Sequence, residues 1–273
     1  MQAIRIRGLM PDFVYDIPLK QLATYFALAA VASVVIGMLI VKPIMRLLIG
    51  AGPDLNEAIN YGTAGFNLFY GLLLGLLTVS AYQNNERISE AVLQEATVLA
   101  AVYSDVNAYP EPIRSETKAM IRDYVLFTLH KDWPAHRQGF YLDGGANRVN
   151  AIRQKLAGFE PATPGQEVLH AQMLSAFQEF TRARQLRLNG VYTQIPNVLW
   201  YAVLVGAAIN IILIVLLRMR PVRQFVLGTI TAFFLGVILF VIVALDDPLR
   251  GEGGIKPDPL QRLWDRAMIW DEP

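Results

Sequence analysis

The sequence predicts an all-α integral membrane protein, with four transmembrane helices and a helical cytoplasmic domain inserted between the second and the third. Three observations predict it. Four uncharged apolar runs, Gln21–Val41, Tyr61–Gln83, Ile195–Leu217 and Gln224–Leu245, each match the roughly 20 helical residues that cross a hydrocarbon core of about 30 Å. Hydrophobic residues make up 54% of the 273-residue chain and charged residues 17%, against roughly 25% charge in soluble domains. Between the second and third runs, apolar residues recur at helical rather than strand spacing. The chain therefore divides into 1–83 (N-terminal segment and spans one and two), 84–194 (helical domain), 195–245 (the span three–four hairpin) and 246–273 (an interfacial tail).

The first run is longer than the 7–15 residues of a signal-peptide core, and it ends in Lys42-Pro43 rather than at a small-residue cleavage site, so it reads as a retained span. Before it, Arg5, Arg7 and Lys20 place residues 1–20 against the membrane surface. Pro43 is expected to end span one, because a proline inside a helix removes a backbone bond. A short link with the breaker cluster Gly50-Ala51-Gly52-Pro53 follows.

Span two has no stop signal at its exit. Tyr82–Arg87 lacks Pro and Gly, and Ile88, Val92, Ala96, Leu99 and Tyr103 continue the helical pattern to about Asn107. Tyr109-Pro110-Glu111-Pro112 stops it. A second amphipathic helix is expected over Ile113–His130, ended by Trp133-Pro134. Gln138–Pro161 is weakly patterned and glycine-rich, with a short helix at Asn147–Ala157. Thr163-Pro164-Gly165-Gln166 is a helix start, with Thr as N-cap, Pro at N1 and Gln completing a capping box. That helix runs to about Leu188, with Gly190 as its C′ residue. Arg218–Arg223 allows only a tight hairpin between spans three and four. An amphipathic stretch, Pro259–Trp270, closes the chain.

An even number of spans puts both termini and the inserted domain on one side. Basic residues before spans one and three, and in the tail, favour the cytoplasm, with Arg218, Arg220 and Arg223 voting the other way.

The net charge of +1 removes any electrostatic case for nucleic acid. There is no cysteine, so thiol chemistry is excluded. His130, His136 and His170 are isolated in sequence, and no metal, P-loop or dinucleotide motif is present. No enzyme activity and no cofactor are expected. Glu86, Glu90 and Glu95 beside Arg87 read as a solvated helix face. Inside the spans no ionisable carboxylate or base appears, which argues against ion-coupled active transport and fits a passive pore or a structural bundle. Asn67, Asn210, Thr78 and Thr231 either make interhelical hydrogen bonds or, Asn67 first among them, line a water path. Gly71-Leu-Leu-Leu-Gly75 is a helix-packing motif. Phe66, Phe69, Leu73 and Leu77 form one stripe along span two. The stripe either faces lipid or, if several copies ring an axis, forms a hydrophobic constriction. After span four, Asp246 and Asp247 oppose the helix dipole and Pro248 blocks extension. Arg87, Arg114 or Arg187 is the expected partner of these carboxylates. A salt bridge and an ion-entry site both remain open there.

Several of these residues together carry a resemblance. They are Gln94-Glu95-Ala96 with Leu99 and Tyr103, Tyr109-Pro110-x-Pro112-x-Arg114 with Arg122 and Tyr124, Trp133-Pro134, Arg187, Trp200 and Gly206, and Leu245-Asp246-Asp247-Pro248-Leu249-x-Gly251. Spread over about two thirds of the chain, they resemble the bacterial bestrophin-like membrane proteins, distantly similar to bestrophin anion channels. The resemblance implies a homo-oligomer, favouring a pentamer, in the bacterial inner membrane. It also implies a neck near Phe66, Phe69 and Leu73 and a regulatory turn at Asp246–Gly251. The family's Pro-Phe-Gly is here Pro248-Leu249-Arg250-Gly251, and the acidic run that clasps calcium in animal bestrophins is reduced to Glu252 and Asp258 among glycines, so calcium gating is not expected.

The expected function is a passive, anion-permeable ion channel whose partners are the lipid bilayer, inorganic ions such as chloride and further copies of itself. The alternative is a membrane-anchored scaffold, binding through an aromatic surface of Phe127, Trp133, Phe140 and Tyr141.

Overall fold

The computed structural model describes residues 11, 13–49, 55–140 and 142–271. Arg5, Arg7, the Gly50–Pro53 cluster and Tyr141 lie outside these. The described residues contain helices and turns and no strand. In order they are α1 (Phe13–Asp16), α2 (Leu19–Ile36), a π turn (Gly37–Val41), α3 (Lys42–Ile49), α4 (Leu55–Asp105), α5 (Ile113–Phe127), a π turn (Thr128–Asp132), α6 (Trp133–His136), α7 (Asp143–Ala157), α8 (Pro164–Asn189), α9 (Asn197–Leu216), α10 (Pro221–Asp246), α11 (Asp258–Leu263) and a closing π turn (Trp264–Met268). Four helical stretches are long and apolar enough to cross a membrane: Leu19–Met45, Asn56–Ala108, Asn197–Leu216 and Pro221–Asp246.

The chain forms two units. One holds Arg7–Gln83 with Gln194–Asp246, and the other Asn84–Thr193 with Asp247–Pro273.

In the first unit, helix continues past Pro43, where a break was expected. The reason is the π turn before it. The Lys42 N–H bonds the Gly37 carbonyl, five residues back, so the widened turn changes which carbonyl faces the proline ring and the helix survives. Glycines set the packing. A Cβ at Gly236 would lie 3.2 Å from both Ala30 Cβ and the Phe26 carbonyl oxygen, and one at Gly228 would lie 3.0 Å from Val34, so α10 meets α2 along a row of small residues. At Gly206 of α9, a Cβ would sit 2.2 Å from the Tyr70 ring, whose hydroxyl donates to the Val203 carbonyl at 2.9 Å. Gly206→Ala is therefore expected to cost about 1–3 kcal/mol by overpacking. A thermal scan of the detergent-purified protein would read this as a lowered midpoint, and an unchanged midpoint would contradict the close packing.

The end of α9 is capped from α10. The Gln224 amide donates to the carbonyls of Ile214, Val215 and Leu217 at 3.0, 2.7 and 3.0 Å, satisfying acceptors that a helix end leaves open. The Lys42 ammonium donates to the other end of the same side chain. Lys42 is 8% exposed and lies one residue beyond the Gln21–Val41 run, so the longer Leu19–Met45 stretch carries a buried base near its end.

In the second unit, Leu99, Val102, Ile121, Tyr124, Ile152 and Phe180 form a core. Leu249, Leu260 and Met268, each fully buried, complete it. Residues 247–271 thus belong to this core rather than to a separate interfacial tail. Trp133-Pro134 does not end a helix, because a π turn again precedes it, with the Trp133 N–H on the Thr128 carbonyl. The chain turns only after His136. The helix expected from Asn147 starts four residues earlier, at Asp143. Thr163 caps α8, accepting from the Gln166 N–H at 3.2 Å, while the Gln166 side chain reaches back to the Ala162 N–H at 2.8 Å. Gly190 ends α8 with φ −61°, not in the left-handed form expected of a C′ glycine. It is small because a Cβ there would lie 2.8 Å from Ile88.

Candidate functional site

Three places hold the residues singled out in the sequence: the apolar half of α4, the turn after α10, and a buried polar cluster in the second unit.

Within the first unit, one side of α4 packs on its own chain and the other is open. Tyr70, Leu74 and Leu77 are buried among Trp200, Val203 and Ile242, with Phe66 and Leu73 half-buried beside them. Phe66 stacks on Tyr70, with ring centroids 5.5 Å apart. The open side carries Leu68, Phe69, Leu72, Leu76 and Val79. Phe69 is 72% exposed and Leu77 only 5%, so the stripe chosen from sequence divides between the two sides. Gly71 and Gly75 lie toward the open side, and nothing of the described chain comes within 4 Å of a Cβ built on either. Neither packs closely on another helix among the described residues. The Asn67 carbonyl accepts from the Asn210 amide at 2.7 Å, joining α4 to α9.

At the end of α10, Asp246 takes its hydrogen bonds from neutral groups of its own unit. Asp246 is 3% exposed. Its carboxylate accepts from the Ile195 N–H at 2.7 Å and from the Tyr15 hydroxyl at 2.9 Å, so it holds the start of α9 and α1 by neutral donors. Arg187 and Arg114 are engaged elsewhere, with Glu95 and Glu111. In the second unit, Asp247 is 5% exposed and opens a turn pinned to the corner after α6. The Gly251 N–H donates to the Arg137 carbonyl, Arg137 Nε donates back to the Gly251 carbonyl, both at 3.2 Å, and Trp133 Nε1 donates to the Ile255 carbonyl at 3.1 Å. Gly251 takes φ +70°, a conformation that a side chain disfavours.

The third place was not expected. Glu95, read as solvated, is fully buried. It accepts from Arg187 at 2.5 and 3.2 Å and from the Tyr124 hydroxyl at 2.5 Å. Arg187 also reaches His136 Nδ1 at 3.2 Å and lies over the Trp133 ring at 5.2 Å. Burial and the neighbouring Arg187 and Arg184 hold His136 far below its ordinary range, at about 2. Burial raises Asp132 to about 6, against the pull of the same two arginines. Trp133 is 2% exposed and Phe127 lies under Arg148, with the guanidinium 4.0 Å from the ring centre. Two of the four aromatic residues expected to form a docking surface are thus buried or covered.

A family model for the bestrophin-like domain matches residues 26–260. The chain belongs to the bestrophin-like family.

Solved structures agree on the fold. A bacterial bestrophin homologue from Klebsiella pneumoniae, determined as a single-substitution variant, superposes with a TM-score of 0.64 at 9% identity, covering 89% of this chain and 98% of that one. A second single-substitution variant of a Klebsiella pneumoniae bestrophin homologue gives 0.63 at 10% identity, with 89% and 98% covered. A further membrane protein gives 0.65 at 12% identity, with 92% and 99% covered. No curated protein matches the chain.

Within the bestrophin-like domain, four of the residues that carried the resemblance, Glu95, Tyr124, Trp133 and Arg187, are mutual neighbours in the buried cluster. His136, Asp132 and Arg184 join them and were not found from sequence. One signal did exist: Gly144-Gly145 inside a helix is locally unfavourable, and such a pair marks a close approach of other groups.

Proposed function

We propose that this bestrophin-like membrane protein is the subunit of a passive, anion-permeable channel of the bacterial inner membrane. Copies of the chain, five by family resemblance, set α4 around an axis. The open apolar side of α4 carries this reading. Phe69, Leu72 and Leu76 share that side, whereas Leu77 is committed to its own subunit's core, so the constriction is one residue out of register from the stripe read in the sequence. Phe66 and Leu73 back it. A ring of such side chains gates by dewetting rather than by charge. Gly71 and Gly75 give neighbouring helices room to approach, and Asn67 acts as a tie to α9. The Asp247–Gly251 turn, clasped to the α6 corner, is the regulatory element.

Phe69→Ala is expected to widen the constriction and raise ion flux through reconstituted protein several-fold, with Leu77→Ala lowering stability instead. Equal flux from wild type and Phe69→Ala would remove the neck assignment. Native mass spectrometry tests the assembly, since a monomer leaves no axis. Reversal potentials in asymmetric chloride test the sign of the permeant ion.

A further inference from the structure

The Glu95–Arg187 pair is complete, but a second pair beside it is not. Asp132 is fully buried and Arg184 is 5% exposed. Both reach one small space under the first turn of α7. A Cβ at Gly145 would lie 2.6 Å from Asp132 Oδ2 and 2.9 Å from a terminal nitrogen of Arg184. Yet neither oxygen of Asp132 has a hydrogen-bond partner, and neither Nε nor that terminal nitrogen of Arg184 has one. A buried carboxylate and a buried guanidinium stand side by side without touching, an arrangement too costly to stay dry.

His136 adds a third open group. Arg187 can only donate, so Nδ1 of His136 accepts and the neutral ring carries its hydrogen on Nε2. That Nε2 is buried and unpartnered too.

The charges select the ligand. Glu95 and Asp132 balance Arg184 and Arg187, and His136 is neutral, so an added ion of either sign would be buried without compensation. What fits is a small uncharged molecule that donates to Asp132 while accepting from Arg184. Gly145, lacking a Cβ, lets both side chains approach the backbone of α7. We infer that ordered water occupies this space and turns Asp132 and Arg184 into a buried, water-mediated ion pair. A buried water with two to four polar partners is a stable part of a fold. Here it ties the Thr128–Asp132 π turn to α8 beneath α7.

The test uses the full wild-type chain. A crystal or cryo-EM map that resolves ordered solvent should show density within hydrogen-bond reach of Asp132 and of Arg184. A direct Asp132–Arg184 contact, or a space without density, overturns the inference.

Discussion

Arg187→Met is expected to destabilise the protein more than any other single change considered. The guanidinium is fully buried with Glu95, and its removal strands a carboxylate that keeps only the Tyr124 hydroxyl as donor. Breaking a buried pair from one side costs about 3–5 kcal/mol, whereas replacing both partners by apolar groups is often neutral. A detergent-solubilised sample should therefore lose roughly 10 °C in its unfolding midpoint. Glu95→Leu combined with Arg187→Met should recover most of that loss. If the single substitution is silent, or the double no better than the single, the pair is not what holds α4 to α8. Burial and Glu95 act in opposite directions on Arg187, and its ionisation is held above the usual range by the carboxylate.

The second large effect is in the pH dependence of stability, where two neighbouring groups pull in opposite directions. His136 is held at about 2 in the folded chain and returns to about 6.5 when unfolded. Its contribution to stability is therefore lost as pH falls below about 6.5. Asp132 is raised to about 6 from an unfolded value near 3.9. Its contribution is present at low pH and lost as pH rises through about 4 to 6. In that window the two slopes oppose, each at about 1.4 kcal/mol per pH unit when fully expressed. Arg184, Arg187, Glu95 and Arg148 are the other charged groups acting on the pair. Relative to wild type, Asp132→Asn should lose stability steeply on acidification from pH 6.5 to 4, and His136→Gln should gain it. Parallel curves for all three proteins would show that neither group is shifted.

Much of the fold was readable because it depends on local pattern. The exit of α4 from its apolar half lacks Pro and Gly, so its continuation to Asp105 followed from spacing alone. Thr163 and Gln166 announced the start of α8 in the same way. The errors cluster where local rules meet a local remedy. Pro43 and Pro134 are strong stop signals, and each is neutralised by a π turn that no composition reveals. The stripe on α4 divides between two sides because Leu76 and Leu77 are chemically alike, and only packing against Trp200 and Val203 tells them apart. The partner of Asp246 was sought among arginines, since charge is visible in sequence and a backbone N–H at residue 195 is not. Glu95 and Arg187 lie 92 positions apart, and nothing near Glu95 distinguishes it from Glu86 and Glu90, which sit on the solvent side of the same helix.

The second unit's core is also discontinuous along the chain, and this bears on biogenesis. Val102, Ile121 and Phe180 leave the ribosome before spans three and four, whereas Leu249, Leu260 and Met268 follow them. While the α9–α10 hairpin is being inserted, the nascent domain has an unfilled interior. The residues that complete this core, and the Trp133–Ile255 and Arg137–Gly251 clasps, arrive only after that hairpin. A chain halted or clipped after α10 would display raw apolar surface, the mark that proteases and chaperones act on. Completion of the domain thus reports that α9 and α10 have been made.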